Sequence, residues 1–177
     1  QALGSETGRA YVFLGASEPV GLNATLADAI YSGQQGNGDF GRDLTAADMN
    51  GDGFADLAIG APRNSQGAIK NGRSYVFLGG ETLEDGLSHS ADVLYTGEEQ
   101  DYCRFGSALE VIDLDGDGLA DVISAALGSN GGGVGSGRVH VFEGVQDPQD
   151  EDAYGDDLTL TGEAAESKFG SSISPGM

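Results

Sequence analysis

The chain repeats itself with a period near 64 residues, and this repetition limits the fold more than any other feature. The segment "GRAYVFLG" at 8–15 returns as "GRSYVFLG" at 72–79 and as "GRVHVFEG" at 137–144. The dipeptide Phe-Gly recurs in the same register at 40–41, 105–106 and 169–170. A period of this length indicates stacked or radially arranged units, each too small to bury its own apolar surface.

Each unit reads as four short strands. "RSYVFLG" and "RVHVFEG" are rich in aromatic and β-branched residues and are bounded by glycine, which is typical of buried strands. "ADLAIGA" and "ADVISAA" each follow an acidic loop, "GRDLTAA" and "GSALEVI" lead into those loops, and "ADVLYTG" supplies a fourth strand. No segment shows a sustained helical period, so the sequence predicts an all-β fold. Four antiparallel strands at a fixed interval are the unit of a β-propeller blade.

The register divides the chain into two complete blades and two partial ones. Residues 1–39 hold strands three and four of one blade, 40–104 and 105–168 are full repeats, and 169–177 begin a further repeat. Because a propeller closes with about 4 to 8 blades, we expect an incomplete propeller, either a piece of a longer protein or an assembly component. Open strand edges at both ends predict a homo-oligomer, in which a strand starting at Phe169 completes the N-terminal half-blade of another copy.

Two acidic loops carry the main chemical prediction. "DMNGDGFAD" at 48–56 and "DLDGDGLAD" at 113–121 share the pattern D-x-[DN]-x-D-G-x-x-D. Hard oxygen ligands at this spacing match the coordination that Ca²⁺ prefers, so we predict two calcium sites. The predicted ligands are the side chains of Asp48, Asn50, Asp52, Asp56, Asp113, Asp115, Asp117 and Asp121, with the backbone carbonyls of Phe54 and Leu119.

An EF-hand, a zinc site and a plain acidic turn all fit these loops less well than calcium. An EF-hand needs a bidentate Glu at its twelfth position, which Ile59 and Ser124 occupy here, and zinc would need His or Cys ligands. Plain acidic hairpin turns are the remaining alternative, since Asp-Gly is common in turns. The matched spacing of two loops one full period apart favours the metal.

Composition narrows the partners and the compartment. The chain has 29 Asp and Glu against 8 Lys and Arg, a formal net charge of -21, which opposes binding to nucleic acids and anionic membranes. No apolar run approaches the about 20 residues that a membrane span needs. Cations and basic proteins remain as possible binding partners of so acidic a chain. Because weak calcium sites fill only at high free Ca²⁺, we expect an extracellular, cell-surface or secreted location.

The lone Cys103 cannot form an intrachain disulfide. We expect it to be a small residue in a loop, and the alternative is a thiol that is reactive or that pairs with another chain.

The order of these motifs resembles a known repeat family. Phe-Gly, then "DMNGDGFADLAIGAP" at 48–62, then "GRSYVFLG" resembles the FG-GAP repeat of integrin α-subunit propellers and related bacterial surface proteins. The resemblance implies that each repeat forms one blade of a seven-bladed propeller, that calcium lies between the first two strands, and that the domain binds proteins. The second full repeat departs from the pattern, with Ala125-Ala126-Leu127 where the first has Gly60-Ala61-Pro62.

The leading functional prediction is a calcium-binding integrin-α-like propeller segment, a scaffold for protein contacts or cell adhesion. In a blade, the calcium loops and the connections between strands three and four lie on one side. Segments 63–72, 98–104 and 128–137 then lie on the other side, and we predict contact residues there because exposed Arg and aromatic residues favour interfaces. The candidates are Arg63, Lys70, Tyr102 and Arg104, with ordinary solvated loops as the alternative.

Catalytic motifs are scarce, so we expect no enzyme in this chain. No G-x-S-x-G, H-E-x-x-H or Gly-rich phosphate loop appears. His89 sits in a polar segment, and His140 takes the register of Tyr11 and Tyr75, which predicts strand packing. The acidic segment 146–157 reads as a solvated loop. Two alternatives stay open: a repeat region appended to a secreted hydrolase or lyase, and a structural stalk or surface-layer component.

Overall fold

The computed structural model describes residues 7–15, 23–65 and 68–174. These residues form twelve β-strands and two short 3₁₀ turns, Ala24–Leu26 and Ser88–Ser90, with no α-helix among them. None of the described segments forms a helix with the length and apolar character needed to cross a membrane. The strands are β1 Arg9–Val12, β2 Ala29–Ser32, β3 Leu44–Ala47, β4 Asp56–Ala61, β5 Arg73–Phe77, β6 Gly86–Leu87, β7 Val93–Thr96, β8 Phe105–Ile112, β9 Asp121–Ala126, β10 Arg138–Phe142, β11 Glu151–Asp152 and β12 Leu158–Thr161.

Three sheets follow the sequence repeat. Strands β3, β4, β5 and β7 pair antiparallel in chain order, as do β8, β9, β10 and β12, and each set of four is one blade. Strands β1 and β2 pair antiparallel as the outer half of a preceding blade. The predicted all-β fold, with blades of four antiparallel strands in an incomplete propeller, is confirmed.

Two short strands that the sequence did not predict tie neighbouring blades together. Strand β6 lies between the third and fourth strands of its own repeat but pairs parallel with β2 of the preceding blade. Strand β11 pairs parallel with β7 in the same way. An aspartate precedes each short strand: Asp85 accepts the Ile30 N–H and Asp150 accepts the Leu94 N–H, both at 2.8 Å. The connection between strands three and four is therefore an inter-blade bridge.

The acidic segment 146–157 was predicted to be a solvated loop; its acids are exposed or partly exposed as expected, but the segment is more than a loop. The segment contains β11, and the methyl group of Ala153 is buried. Asp157 accepts the Glu143 N–H at 2.8 Å and so fixes the end of β10. Acidic residues read as solvent-exposed because they are rarely buried, but here they serve as acceptors for backbone N–H groups at the blade junction.

The apolar cores lie between blades. Along β4 and β5 successive side chains face opposite sides of the sheet, so Ala58 and Val76 join one core while Ile59 and Tyr75 join the other. Both faces of the first complete blade are thus buried, because a neighbour covers each one. This two-sided burial accounts for the nearly continuous apolar character of "ADLAIGA".

Aromatic contacts repeat at the two junctions. The rings of Tyr31 and Phe77 have centroids 4.4 Å apart at the first junction, and those of Tyr95 and Phe142 are also 4.4 Å apart at the second. The Phe of each Phe-Gly pair contacts the middle of strand three: Phe40 lies 5.5 Å from Tyr75, and Phe105 lies 5.5 Å from His140. His140 is therefore packed within the strands, as its register predicted.

The Phe-Gly pair and the glycine opening strand three form a single packing unit. Gly72 has a φ of +84°, and a Cβ there would lie 2.1 Å from the carbonyl oxygen of Phe105. The Phe105 N–H donates to the Asn71 carbonyl at 2.9 Å, and a Cβ on Gly97 would lie 2.5 Å from the Phe105 Cβ. Only glycine at 72 and 97 allows so close an approach. Gly8 with Phe40, and Gly137 with Phe169, repeat the arrangement.

No strand follows β12 within the described residues. In the first complete blade β3 starts at Leu44, after a turn that follows Phe40, and residues 169–174 contain the equivalent turns and bends. The strand predicted to start at Phe169 is therefore not formed over these residues, and 175–177 lie outside the described part. Completion of a blade between copies of the chain stays a prediction.

Substituting Gly72 should disrupt the junction between the two complete blades. We expect Gly72→Ala to lower the free energy of unfolding by about 3 kcal/mol or more, because it adds left-handed backbone strain to an overlap with Phe105. Chemical denaturation followed by fluorescence of the tyrosines measures this change. Gly80→Ala is the matched control, since no atom lies within 4 Å of the position of its added Cβ and its φ is not positive. Equal stability of the two variants would contradict the claim that glycine is required at position 72 for packing against Phe105.

Candidate metal centre

The two acidic loops join the first and second strands of each complete blade, and the first aspartate of each loop organises its backbone. Asp48 accepts the N–H groups of Gly51 and Gly53, each at 2.8 Å. Asp113 accepts those of Gly116 and Gly118, at 2.7 and 2.9 Å. The four glycines have positive φ, which turns their N–H groups inward toward the carboxylate. The two loops thus share one conformation.

The third and fifth positions repeat the same pattern of Asx turns. The Asn50 and Asp115 Oδ1 atoms accept the N–H two residues on, both at 3.0 Å. Asp52 and Asp117 do the same for Phe54 and Leu119, both at 2.8 Å. Local side-chain acceptors therefore fold each loop into a compact bend.

The second loop brings three carboxylates together. One oxygen from each of Asp113, Asp115 and Asp117 lies within 4.8 Å of the other two, and all three residues are exposed. Unit charges at this separation repel by about 1 kcal/mol per pair in water and several times more near a protein surface. A divalent cation among them would reverse the sign of this interaction. The donor set consists of hard oxygens, which suits Ca²⁺ better than a softer transition metal.

The first loop differs by one charge. Asn50 stands where Asp115 stands in the second loop, and its Nδ2 donates to Asp52 Oδ2 at 3.1 Å. This hydrogen bond compensates one carboxylate of the first loop, whereas the second loop has no amide at that position. The acidic charge is therefore greater in the second loop.

The ninth-position acids play a different structural part. Asp56 is fully buried and accepts the N–H groups of Met49 at 2.8 Å and Gly79 at 2.7 Å. Asp121 is 3% exposed and accepts those of Leu114 and Gly144, both at 2.8 Å. Each acid thereby ties its loop to the end of strand three, and Asp121 does not belong to the group of three converging carboxylates. The predicted roles of Asp56, Asp121, Phe54 and Leu119 as ligands stay predictions.

Burial shifts the ionisation of Asp56. Desolvation raises the pKa of this carboxyl, and the negative charges of Asp52 and Asp48 raise it further. The two backbone N–H donors oppose the rise but do not cancel it. The ionised form of Asp56 is thus disfavoured by its surroundings, and a cation in the loop would relieve that penalty.

The predicted contact residues lie at the opposite end of the blades, and three of them are neighbours. The ammonium group of Lys70 lies 5.3 Å from the ring centroid of Tyr102, and the Arg104 N–H donates to the Lys70 carbonyl at 3.1 Å. All three residues have positive φ. Arg63 sits apart from this group and pairs with Asp39 at 3.1 Å, with both side chains partly exposed.

Cys103 lies next to this group but does not share its exposure. Its side chain is fully buried, and burial raises the pKa of the thiol to about 12. The thiol is therefore protonated and shielded at neutral pH, which contradicts the alternative of a reactive or interchain thiol. The expectation of a small loop residue agrees with the structure.

A buried polar network at the second junction was not predicted from the sequence. Arg138 Nη1 donates to Glu98, whose side chain is 7% exposed, and Ser129 also donates to Glu98. His140 Nδ1 lies 3.2 Å from Asp156 Oδ2, and its Nε2 lies 3.7 Å from Glu98 Oε1. Burial lowers the pKa of His140, and the two carboxylates only partly oppose this. Glu98 occupies the position of Gln34 in the preceding repeat, a difference visible once the repeats are aligned.

The family model for the FG-GAP repeat matches this chain twice, over residues 40–77 and 105–142. Each match runs from the Phe-Gly pair, through the acidic loop, to the end of strand three. The chain belongs to the FG-GAP repeat family. This assignment agrees with the blade architecture and with the recurring junction described above.

Integrin subunits and a phospholipase are among the relatives of these FG-GAP repeats. The chain is 39% identical to integrin alpha-5 of Xenopus laevis over 70% of its length, and 40% identical to human integrin alpha-IIb over 63%. It is 32% identical to human phosphatidylinositol-glycan-specific phospholipase D over 94%. It spans only 12%, 11% and 20% of these three proteins, respectively. The similarity therefore concerns a repeat region within much longer chains.

Removing the buried acid of the first loop should destabilise the fold even without metal. Asp56→Ala leaves the N–H groups of Met49 and Gly79 without their acceptor, so we expect a loss of about 2 to 4 kcal/mol in the free energy of unfolding with EDTA present. Asp52→Ala, at an exposed position, should cost less than about 1 kcal/mol under the same conditions. Denaturant titration of both variants measures the difference in the free energy of unfolding. An equal decrease in the two variants would contradict the stabilising role of the hydrogen bonds that Asp56 accepts from Met49 and Gly79.

The lowered pKa of His140 predicts a loss of stability in mild acid. The folded state binds the imidazole proton more weakly than the unfolded state, whose His has its usual pKa of 6.5. Stability is therefore fully present above about pH 6.5 and falls as the pH drops from there through the folded-state pKa. Melting curves at pH 7.5, 6.5 and 5.5 measure the slope. His140→Gln, which cannot titrate, should show a shallower decline, and an unchanged slope would contradict the assignment to His140.

Proposed function

We propose that this chain is a calcium-stabilised FG-GAP propeller segment of an extracellular protein, and that its role is to present a surface for protein contacts or adhesion. The observation that carries the proposal is the convergence of Asp113, Asp115 and Asp117 in a loop whose conformation recurs one repeat earlier. Like charges held together in the second loop favour a cation there, and the matching backbone conformation of the first loop supports a second site.

The two proposed calcium sites should differ in strength. The second loop has four acids, Asp113, Asp115, Asp117 and Asp121, and the first has three, because Asn50 replaces one of them. Calcium affinity of such loops rises with the charge of the ligands. We therefore propose that the second loop binds Ca²⁺ more tightly than the first.

Calcium at these sites would act on stability more than on chemistry. Each loop is tied to the end of strand three through Asp56 or Asp121, so ordering the loop also orders that hairpin. With about 1 mM free Ca²⁺ and a Kd of about 10⁻⁴ M, each site stabilises the fold by about 1.4 kcal/mol. Cytosolic Ca²⁺ is too low to fill sites this weak, which supports an extracellular location.

The opposite end of the blades supports the proposed binding role. Lys70, Tyr102 and Arg104 form a small cationic and aromatic group on a chain whose net charge is -21. Such residues contribute disproportionately to protein interfaces. The calcium loops lie at the other end, so a partner could bind here without touching the metal.

A second candidate function is a repeat region attached to a secreted hydrolase. The similarity to a phospholipase D extends over 94% of this chain, farther along it than the matches to the two integrin subunits. Under this candidate the segment described here keeps a structural and binding role, and the catalytic residues lie in another part of the protein.

Thermal melting with and without chelator tests the calcium proposal. We expect EDTA to lower the Tm by about 3 to 6 °C per site, since a chain of this size shifts by about 2 to 4 °C per kcal/mol. Adding back Ca²⁺ should restore the Tm, and Mg²⁺ should restore less of it. An identical Tm in EDTA and in millimolar Ca²⁺ would refute the proposal.

Matched variants separate a specific site from general screening of charge. Asp52→Ala combined with Asp117→Ala should abolish the calcium-dependent shift and leave the Tm in EDTA nearly unchanged, because both residues are exposed. In calorimetric titrations, Asp115→Asn should weaken the tighter site, whereas Asn50→Asp should strengthen the weaker one. A calcium shift that survives the double substitution would contradict binding in these loops.

A further inference from the structure

An open cavity of about 480 Å³ lies at the junction between the half-blade and the first complete blade. Arg73 and Tyr75 of β5 line its wall, together with Asn64, Gln34 and the 3₁₀ turn that holds His89. We call it the Arg73 cavity. Its volume falls in the range of about 300 to 1,000 Å³ that is usual for small-molecule sites.

Polar groups of the cavity wall lack partners. Asn64 is 5% exposed, and its Nδ2 donates to the Tyr75 hydroxyl at 2.9 Å, but its buried Oδ1 has no hydrogen-bond partner among the described residues. The buried Arg73 Nε is also unpartnered within that part of the chain, but so is the Nε of Arg138 beside Glu98. Asn64 Oδ1 is therefore the atom that distinguishes this cavity. A buried polar group without a partner costs about 1 to 3 kcal/mol, so such groups are rare in folded proteins unless a ligand or water satisfies them.

The guanidinium of Arg73 also lacks an acidic partner. None of the ion pairs formed by the described residues includes Arg73. Its charge reaches the neighbouring hydroxyl: burial raises the pKa of Tyr75, and Arg73 opposes that rise. Arg73 and Arg138 are the two partly buried arginines of the described chain, and of these only Arg138 has a carboxylate partner.

The next junction shows what fills the same place one repeat later. Arg138 and His140 occupy there the positions of Arg73 and Tyr75, with the same 5.5 Å ring contact to the Phe of the Phe-Gly pair. Glu98 fills that junction and pairs with Arg138. At the first junction the corresponding residue is Gln34, which is neutral and exposed.

A second acid is also replaced. Asp156, which contacts His140 at the second junction, corresponds to Ala91 at the first, because Asp157 and Asp92 occupy matching positions at the start of the fourth strand. Ala91 lines the Arg73 cavity. Two acids of the second junction are thus replaced at the first while the arginine is kept, and both replacing residues, Gln34 and Ala91, line the cavity.

We propose that the Arg73 cavity binds a small sugar acid with one carboxylate, whose carboxylate pairs with Arg73 in the place that Glu98 takes beside Arg138. A planar guanidinium matches a carboxylate with two parallel hydrogen bonds. The Asn64 carbonyl oxygen, the Tyr75 hydroxyl and the Gln34 amide offer both donors and acceptors to sugar hydroxyls. This site is separate from the calcium loops and from the Lys70, Tyr102 and Arg104 group.

One acid at the rim limits the ligand to a single negative charge. Asp150 lines the cavity and is held there because its Oδ1 accepts the Leu94 N–H at 2.8 Å. Its charge would repel a second carboxylate or a phosphate on the ligand. A monocarboxylate whose remaining groups are hydroxyls can pair with Arg73 and brings no second negative charge near Asp150.

Calorimetric titration of the full chain with D-glucuronate tests the proposal, with saturating Ca²⁺ present throughout. We expect saturable binding of one glucuronate per chain, and at least tenfold weaker binding of D-glucose, which has the hydroxyls but no carboxylate. D-galacturonate serves as a second probe with a different hydroxyl arrangement. Absence of saturable binding by both uronates, or equal binding of glucose, would overturn the proposal.

Two substitutions should weaken glucuronate binding, one by removing the cation of the site and the other by adding an acid that pairs with it. Arg73→Gln removes the cation, and Gln34→Glu installs the acid that Glu98 provides at the second junction, so each should weaken glucuronate binding at least tenfold. Gln34→Glu should also raise the Tm without ligand, which distinguishes a filled site from a misfolded one. Arg42→Gln, at an exposed arginine that does not line the cavity, is the matched control and should bind as the unmodified chain does.

The ligand class is tested against an acidic side chain of a protein. A blocked Gly-Asp-Gly peptide presents the same carboxylate without sugar hydroxyls, and we expect it to bind at least tenfold more weakly than glucuronate. Tighter binding of the peptide would overturn the assignment to a sugar acid. Undiminished glucuronate binding by Arg73→Gln would overturn the site itself.

Discussion

Each blade of this protein depends on its neighbour, because a four-stranded sheet with two apolar faces cannot bury either face alone. Side chains alternate along β4 and β5, so Ile59 and Val76 belong to different cores on opposite sides of one sheet. The Phe-Gly pair joins the sheets by inserting the Phe between two glycines of the preceding blade. The dipeptide therefore recurs because the junction recurs, and the length of the repeat is the length of chain needed to reach the next junction.

The acidic character of the chain is largely a consequence of how its blades are tied. Asp28, Asp92 and Asp157 each accept the N–H just beyond a third strand, at 2.8 Å in every case. Asp85 and Asp150 accept N–H groups between blades in the same way. Carboxylates accept backbone hydrogen bonds strongly, but every such bond adds a negative charge. A fold built in this way accumulates repulsion, which a cation bound in the acidic loops, as proposed above, would offset.

The two junctions share one arrangement of strands but differ in the side chains that fill them. The arginine opening strand three is present at both junctions, as Arg73 and Arg138, while its acidic partner is present only as Glu98. The geometry of the ring contact is the same in both places. One junction is therefore a closed ion-paired interface and the other an open cavity, and the difference resides in a few side chains.

The strands of each blade, the acidic loops and the Phe-Gly register could all be predicted from the amino-acid sequence, because periodicity and turn chemistry are local properties. Strands β6 and β11 could not, since two-residue strands such as Glu151–Asp152 have no pattern of their own and form only when a neighbouring edge is present. Nor could local pattern show that Asp56 and Asp121 are buried, or that Glu98 is buried while Gln34 is exposed. These features arise from packing, because each depends on groups that are distant in sequence and meet only when the backbone folds back and blade packs against blade.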